Sequence, residues 1–212
     1  MGAFLVEEAL DLPRRGLLEL LRNDLDRGHL GRGSAVRQHE AGHDGHAAIR
    51  CDEIVRRGVK VSWTCSSRVE VVDRPLLQAM KDAGCWRTRF GIESGSDRVL
   101  DFISKGITKE TIRNAITWAD EVGLRPKAFF ILGHLPDTKE SIEETIAFAC
   151  SLPLHDVTVQ INTLLPETPQ MEIFEREGER WGRLVDETTD ASSFWEPTFV
   201  PWGLEPEDLV RY

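Results

Sequence analysis

The sequence predicts an α/β fold of barrel type, with parallel strands inside and helices outside, preceded by an irregular N-terminal segment. Three observations carry this. Helical and extended patterns alternate from Ala47 onward. Four strand-helix units recur at a spacing of roughly 30 residues, the length of one βαβ unit. The stretch from Arg27 to His46 has almost no apolar period. Parallel pairing follows because each crossover needs a helix to bring the chain back to the same edge of the sheet.

Before Ala47, Leu17 to Leu25 (LLELLRNDL) reads as an amphipathic helix, but Arg27 to His46 is rich in Gly, His and Arg and offers few apolar groups to a core. The chain is therefore divided into residues 1–46, irregular, and residues 47–212, a folded domain. Ala48 to Arg57 has Ile49, Ile54 and Val55 on one side and stops at Gly58. Val59 to Cys65 alternates like a strand. Asp73 caps a helix with Pro75 in its first turn, running to Gly84. Arg87 to Glu93 is the next strand, followed by a helix from about Ser96 to Ser104. Thr108 caps a helix that points Ile112, Ala115, Ile116 and Ala119 inward and ends at Gly123. Lys127 to Leu132 is a short buried strand, Ser141 to Ser151 a helix, and Val157 to Leu165 extended.

Bulk properties narrow the partners. Net charge is -10, and the 26 basic residues are scattered rather than gathered into a stripe, so nucleic acid and anionic membranes have no electrostatic footprint here. No apolar run approaches the roughly 20 residues that span a bilayer, and Met1 to Leu12 carries acids where a signal peptide carries bases. A cytoplasmic chain with small-molecule partners is expected. Cys51, Cys65, Cys85 and Cys150 fit neither a disulfide framework nor a metal spacing and are expected to be small buried apolar residues.

The most specific run is Asp82 to Thr108, DAGCWRTRFGIESGSDRVLDFISKGIT. Glu93 falls at the carboxyl end of a strand, where parallel sheets keep their ligands, and Gly91 and Gly95 beside it let a ligand approach the backbone. A carboxylate there suits ribose hydroxyls or an amino group. Ser94 and Ser96 also suit the cap of the following helix.

This run resembles the fourth-strand region of radical S-adenosylmethionine enzymes, in the branch that carries cobalamin-binding domains or modifies methylthiolated substrates. Val61 to Val72 resembles that family's third strand and the turn at Arg68, Ala128 to Thr138 its fifth strand and loop, and Gln160 to Pro169 its sixth. The resemblance implies a partial (βα)6 TIM-like barrel over the later part of the chain. It implies S-adenosylmethionine and a 4Fe-4S cluster as cofactors, with cobalamin in a full-length parent. Glu93, with Ser94 and Gly91, would meet the ribose or amino end of S-adenosylmethionine. Phe130 to Gly133 would line its adenine, and Arg68 and Lys105 would lie near its carboxylate or the substrate.

Three departures from the family bear on activity. The family's cluster loop is CxxxCxxC, and no such spacing occurs here, so reductive cleavage of S-adenosylmethionine has no electron source in this chain. The family's Gly-Leu-Pro-Gly and Pro-Gly-Thr loops read Gly133-His134-Leu135-Pro136-Asp137 and Pro166-Glu167-Thr168, each lacking a glycine. The family's Asp-rich strand is replaced by the Gly/His/Arg-rich stretch, as though residues 1–46 were truncated, rearranged or read in a shifted frame.

Two alternatives belong to other classes. His39-Glu40-Ala41-Gly42-His43 is a literal HExxH, with His39 and His43 as candidate zinc ligands of a hydrolase, but Gly42 and Gly45 weaken any helix there. A barrel fragment without its cluster is otherwise a module that binds a nucleotide-like ligand, or a scaffold that pairs a partner chain along an exposed edge. Phe194 to Trp202 is expected to cover a barrel end as packing, and Glu205 onward to start a helix.

Overall fold

The computed structural model describes residues 51–185 and 196–211. The amphipathic stretch at Leu17 to Leu25, the Gly/His/Arg-rich stretch and the HExxH run lie outside them. Residues 51–56 are helical and lead into strand β1, Trp63–Ser67. Then follow α1 (Arg74–Asp82), β2 (Cys85–Glu93), α2 (Asp97–Phe102), α3 (Lys109–Glu121), β3 (Arg125–Leu132), α4 (Lys139–Cys150) and β4 (Asp156–Ile161). Beyond these lie α5 (Pro169–Trp181), β5 (Gly182–Leu184), β6 (Phe199–Pro201) and α6 (Pro206–Arg211).

Strands β1 to β4 form one sheet in sequential order, every pair parallel. The helix starts follow local chemistry. Asp73 accepts a hydrogen bond from Leu76 N at 2.8 Å, Thr108 caps α3 through Thr111 N, and Thr138 and Ser141 form a reciprocal capping box on α4. Ser96 occupies the N-cap of α2 but gives no side-chain cap; Ser94 Oγ accepts from Ser96 N instead, at 3.1 Å.

The core lies between this sheet and its helices. Phe90, Ile92, Ala128 and Phe130 pack against Ile112, Ala115, Ile116 and Ala119 of α3, all wholly buried. Burial of each Phe or Ile contributes about 1.5–3 kcal/mol of transfer free energy. A second cluster joins Leu132, Ile142 and Ile161 to Val200, Leu204 and Leu209. In the described part of the aromatic tail β6 pairs antiparallel with β5 and Phe199 is fully buried edge-on to Phe174, whereas Trp202 is exposed.

The four parallel strands in sequential order are those expected of a partial barrel; among the described residues the sheet is open, and β5 and β6 form a separate antiparallel pair. One expectation needs correction. Cys51, Cys65 and Cys85 are buried as expected, but Cys150 is exposed, because the last residue of α4 falls outside the stripe that the helix packs against the sheet.

The sheet edges are unpaired among the described residues, β1 on one side and β4 on the other. Val157 and Val159 on β4 are exposed and line a groove with Phe130, Leu132, Ile146 and Ala149. No helix among the described residues is long and apolar enough to cross a membrane.

Candidate functional site at the carboxyl ends of the strands

Because the strands are parallel, their carboxyl ends converge, and Glu93, Gly133 and Asn162 end or follow β2, β3 and β4 at one edge of the sheet. Side-chain direction is fixed by pairing across the opposite end. Asp156 of β4 accepts from Lys127 Nζ at 3.0 Å and from Arg87 Nη1 at 3.2 Å. Arg87, Lys127 and Asp156 therefore share one face, turned away from the helices. By strand alternation Arg89 and Gly91 of β2, and Phe129 and Ile131 of β3, lie on that face too.

Glu93 is held above this face. Its Oε1 accepts from Lys105 Nζ at 2.6 Å, and both side chains are largely buried. A β-carbon added to Gly91 would stand 2.8 Å from Glu93 Oε1 and 3.6 Å from Lys105 Nζ, so glycine is what lets the pair settle over the strand. The register of β2 on β3 slips between Gly91 and Glu93, and Glu93 takes a left-handed φ of 71°. A non-glycine residue in that region is strained, a condition that clusters at ligand-binding sites.

Ser94 is buried in a structural role, 3.1 Å from Thr145 Oγ1 of α4. Gly133 has a φ of 86° that favours glycine, and its N–H donates to Asp137 Oδ2 at 2.9 Å. Arg68 stands apart from this group, exposed and ion-paired with Glu70. Phe130 is a correction. It is even-numbered on β3, so it faces the helices and the core, and Phe129 and Ile131 are the apolar residues on the opposite face.

The structure adds residues that sequence reasoning passed over. His134, directly after Gly133, is almost wholly buried, and its Nδ1 lies 3.2 Å from Gln170 Nε2 at the start of α5. Gln170 Oε1 in turn accepts from Asn162 Nδ2 at 3.3 Å. Burial holds the His134 imidazole below its ordinary pKa, opposed by the charges of Asp137 and Glu93. Burial pushes the Asp137 carboxyl up, against the hydrogen bonds it accepts from Ser141 Oγ and from the His134 and Gly133 amides. The signal lay in the loop sequence, where His134 was counted only as a departure from Gly-Leu-Pro-Gly.

The residues present do not fit an iron-sulfur cluster. Three cysteines are core residues, the fourth lies on the α4 surface, and no group of three metal-ligating side chains occurs among the described residues. They do fit a nucleoside-like ligand: a carboxylate at a strand end, a glycine beneath it and apolar Phe129 and Ile131 on the same face.

A parallel sheet in sequential strand order with outer helices defines a TIM-barrel-like domain. Residues 38–149 match the radical SAM superfamily, and the chain belongs to it. That match includes His39 and His43, and the comparisons give the zinc-hydrolase alternative no support. The chain is 41% identical over 115 residues to an uncharacterized methyltransferase of Pyrococcus horikoshii, covering 54% of this chain and 25% of that protein. It is 32% identical over 101 residues to the anaerobic magnesium-protoporphyrin IX monomethyl ester cyclase of Rubrivivax gelatinosus, covering 47% and 18%. The chain thus spans a quarter or less of the length of these curated relatives. In fold it resembles the radical S-adenosylmethionine methyltransferase TsrM from Kitasatospora setae, solved with cobalamin and a 4Fe-4S cluster bound. The TM-score is 0.57 at 19% identity, over 78% of this chain and 34% of that one.

Proposed function

We propose that this chain is the later part of a radical S-adenosylmethionine barrel, binding S-adenosylmethionine at the carboxyl ends of β2 and β3 without cleaving it alone. The observation that carries the reading is the Glu93–Lys105 pair, 2.6 Å apart over Gly91 on a strained strand end. In this reading Glu93 accepts from the ribose hydroxyls or the amino group, and Lys105 holds the carboxylate in place and offers a cation to the ligand carboxylate. Gly91 and Gly133 let the ligand approach the backbone, and Ile131 and Phe129 take the adenine side. Ser94 acts from behind, fixing the turn after Glu93 through Thr145. Arg68, exposed at the β1 end, would reach the ligand only from the rim.

Reductive cleavage would need the electron supplied by a 4Fe-4S cluster, and the 212 residues carry no CxxxCxxC run to hold one. Cobalamin, bound in TsrM, is proposed only for a longer parent protein. The boundary between residues 1–46 and the barrel, and a cytoplasmic location, belong to the same proposal. The edge at β1, unpaired among the described residues, supports completion of the sheet by a partner chain.

Calorimetric titration of the chain and of Glu93→Gln with S-adenosylmethionine tests the reading, alongside 5'-deoxyadenosine assays under strong reductant. Weak binding that falls by about 1–3 kcal/mol on substitution is expected, the range for hydrogen bonds to a charged group. No 5'-deoxyadenosine is expected. Equal binding by both forms would remove Glu93 from the site.

A further inference from the structure

We propose that His134 is a ligand-recognition residue whose Nε2–H donates to an acceptor atom of the bound nucleoside, a ring nitrogen or a ribose oxygen, and that Gln170 and Asn162 set its direction.

The argument is one of donors and acceptors. Asn162 Nδ2 donates to Gln170 Oε1, which leaves Gln170 Nε2 to donate to His134 Nδ1. A neutral imidazole that accepts at Nδ1 carries its proton on Nε2. Burial keeps the ring neutral. Nε2 is nonetheless buried with no hydrogen-bond partner among the described residues. Buried donors are nearly always paired, and an orphan of this kind calls for a specific cause. Thr163 Oγ1, next to Asn162 at the same end of the sheet, is a second buried polar atom in this condition. The relay thus runs one way, from β4 through α5 to the end of β3, and finishes in a donor. His134 follows Gly133 just past the carboxyl end of β3, and β3 pairs in parallel with β2, which ends at Glu93, so His134 lies at the same end of the sheet as the proposed nucleoside site. A donor so oriented accepts a ligand that presents a lone pair and rejects one that presents an N–H.

The inference rests on the S-adenosylmethionine reading above, and the test separates the two. The full 212-residue chain, labelled with 15N-histidine, is followed by long-range 1H–15N spectra during titration with S-adenosylhomocysteine, and affinity is measured by calorimetry. The Nε2–H tautomer is expected in the free chain, with the His134 signals moving on binding. His134→Ala should lower affinity about tenfold, the loss of one hydrogen bond. Should His134→Ala fail to fold by circular dichroism, Gln170→Glu keeps the imidazole in place. Its carboxylate can only accept, so the ring proton moves to Nδ1 and affinity falls by a similar factor. An Nδ1–H tautomer in the free chain overturns the proposal. So do unmoved His134 signals and unchanged affinity while Glu93→Gln still weakens binding, and in that case the S-adenosylmethionine reading stands. No binding by the unsubstituted chain overturns both.

Discussion

Lys105 Nζ and Glu93 Oε1 meet at 2.6 Å above the backbone of Gly91, joining the end of β2 to the turn after α2 across twelve residues of chain. The pair is largely shielded from water, so it is stronger than a surface ion pair, and its position depends on the missing side chain below it.

Gly91→Ala is expected to disturb the site while sparing the fold. Gly91 does not have a left-handed φ, and the new methyl meets chiefly the flexible ends of Glu93 and Lys105. Unfolding free energy by urea titration should change by less than about 1 kcal/mol. S-adenosylmethionine affinity should fall severalfold, and loss of both together would contradict the geometry.

Phe130→Ala tests which face of β3 is which. Phe130 is wholly buried beneath the helices, so truncation should cost about 3–5 kcal/mol of stability. Ile131→Ala, on the opposite and more open face, should cost less and weaken ligand binding more. Denaturant midpoints and calorimetry together would show a reversed order if the strand faced the other way.

Stability should fall as pH drops below the ordinary imidazole value of about 6.5, because of His134. Its folded pKa is depressed by burial, so below that value the unfolded chain takes up a proton that the folded chain refuses. Above it the contribution is constant. Asp137 acts with the opposite sign in a more acidic window: its folded pKa is raised, so stability is lost as pH rises through the ordinary carboxyl range. Urea midpoints between pH 5 and 8 should slope downward on the acid side, and His134→Gln should flatten that slope.

Native alkylation should separate the cysteines. Cys150 is exposed and should react with iodoacetamide first, by mass spectrometry. Cys51 is buried with its thiol pushed up to about 11, and Cys65 and Cys85 are buried beside it, so all three should react only on unfolding. Early labelling of Cys65 or Cys85 would mean that β1 or β2 opens readily.

The strands were legible because alternation and capping are local. Asp73, Thr108 and Thr138 mark helix starts within a few residues of chain, and the strand order follows from crossover geometry. The facing of β3 was not, since Ala128 to Leu132 is apolar at consecutive positions and an unbroken run carries no parity to read. The His134 relay was hidden for another reason. Its members are 28 and 8 residues apart in sequence and come together only through the pairing of β3 with β4 and the approach of α5. Cys150 failed at a helix end, where one residue decides inside from outside.

Glu93 stands where glycine would stand at ease, at a φ of 71°. Glycine there would relax the turn by about 1–2 kcal/mol and would delete the carboxylate with it. Local comfort and the proposed ligand chemistry therefore pull this position in opposite directions, and a screen that selects variants of this chain for thermal tolerance alone should drift toward the small residue and emerge with a sturdier protein that lacks the carboxylate proposed to hold the nucleoside.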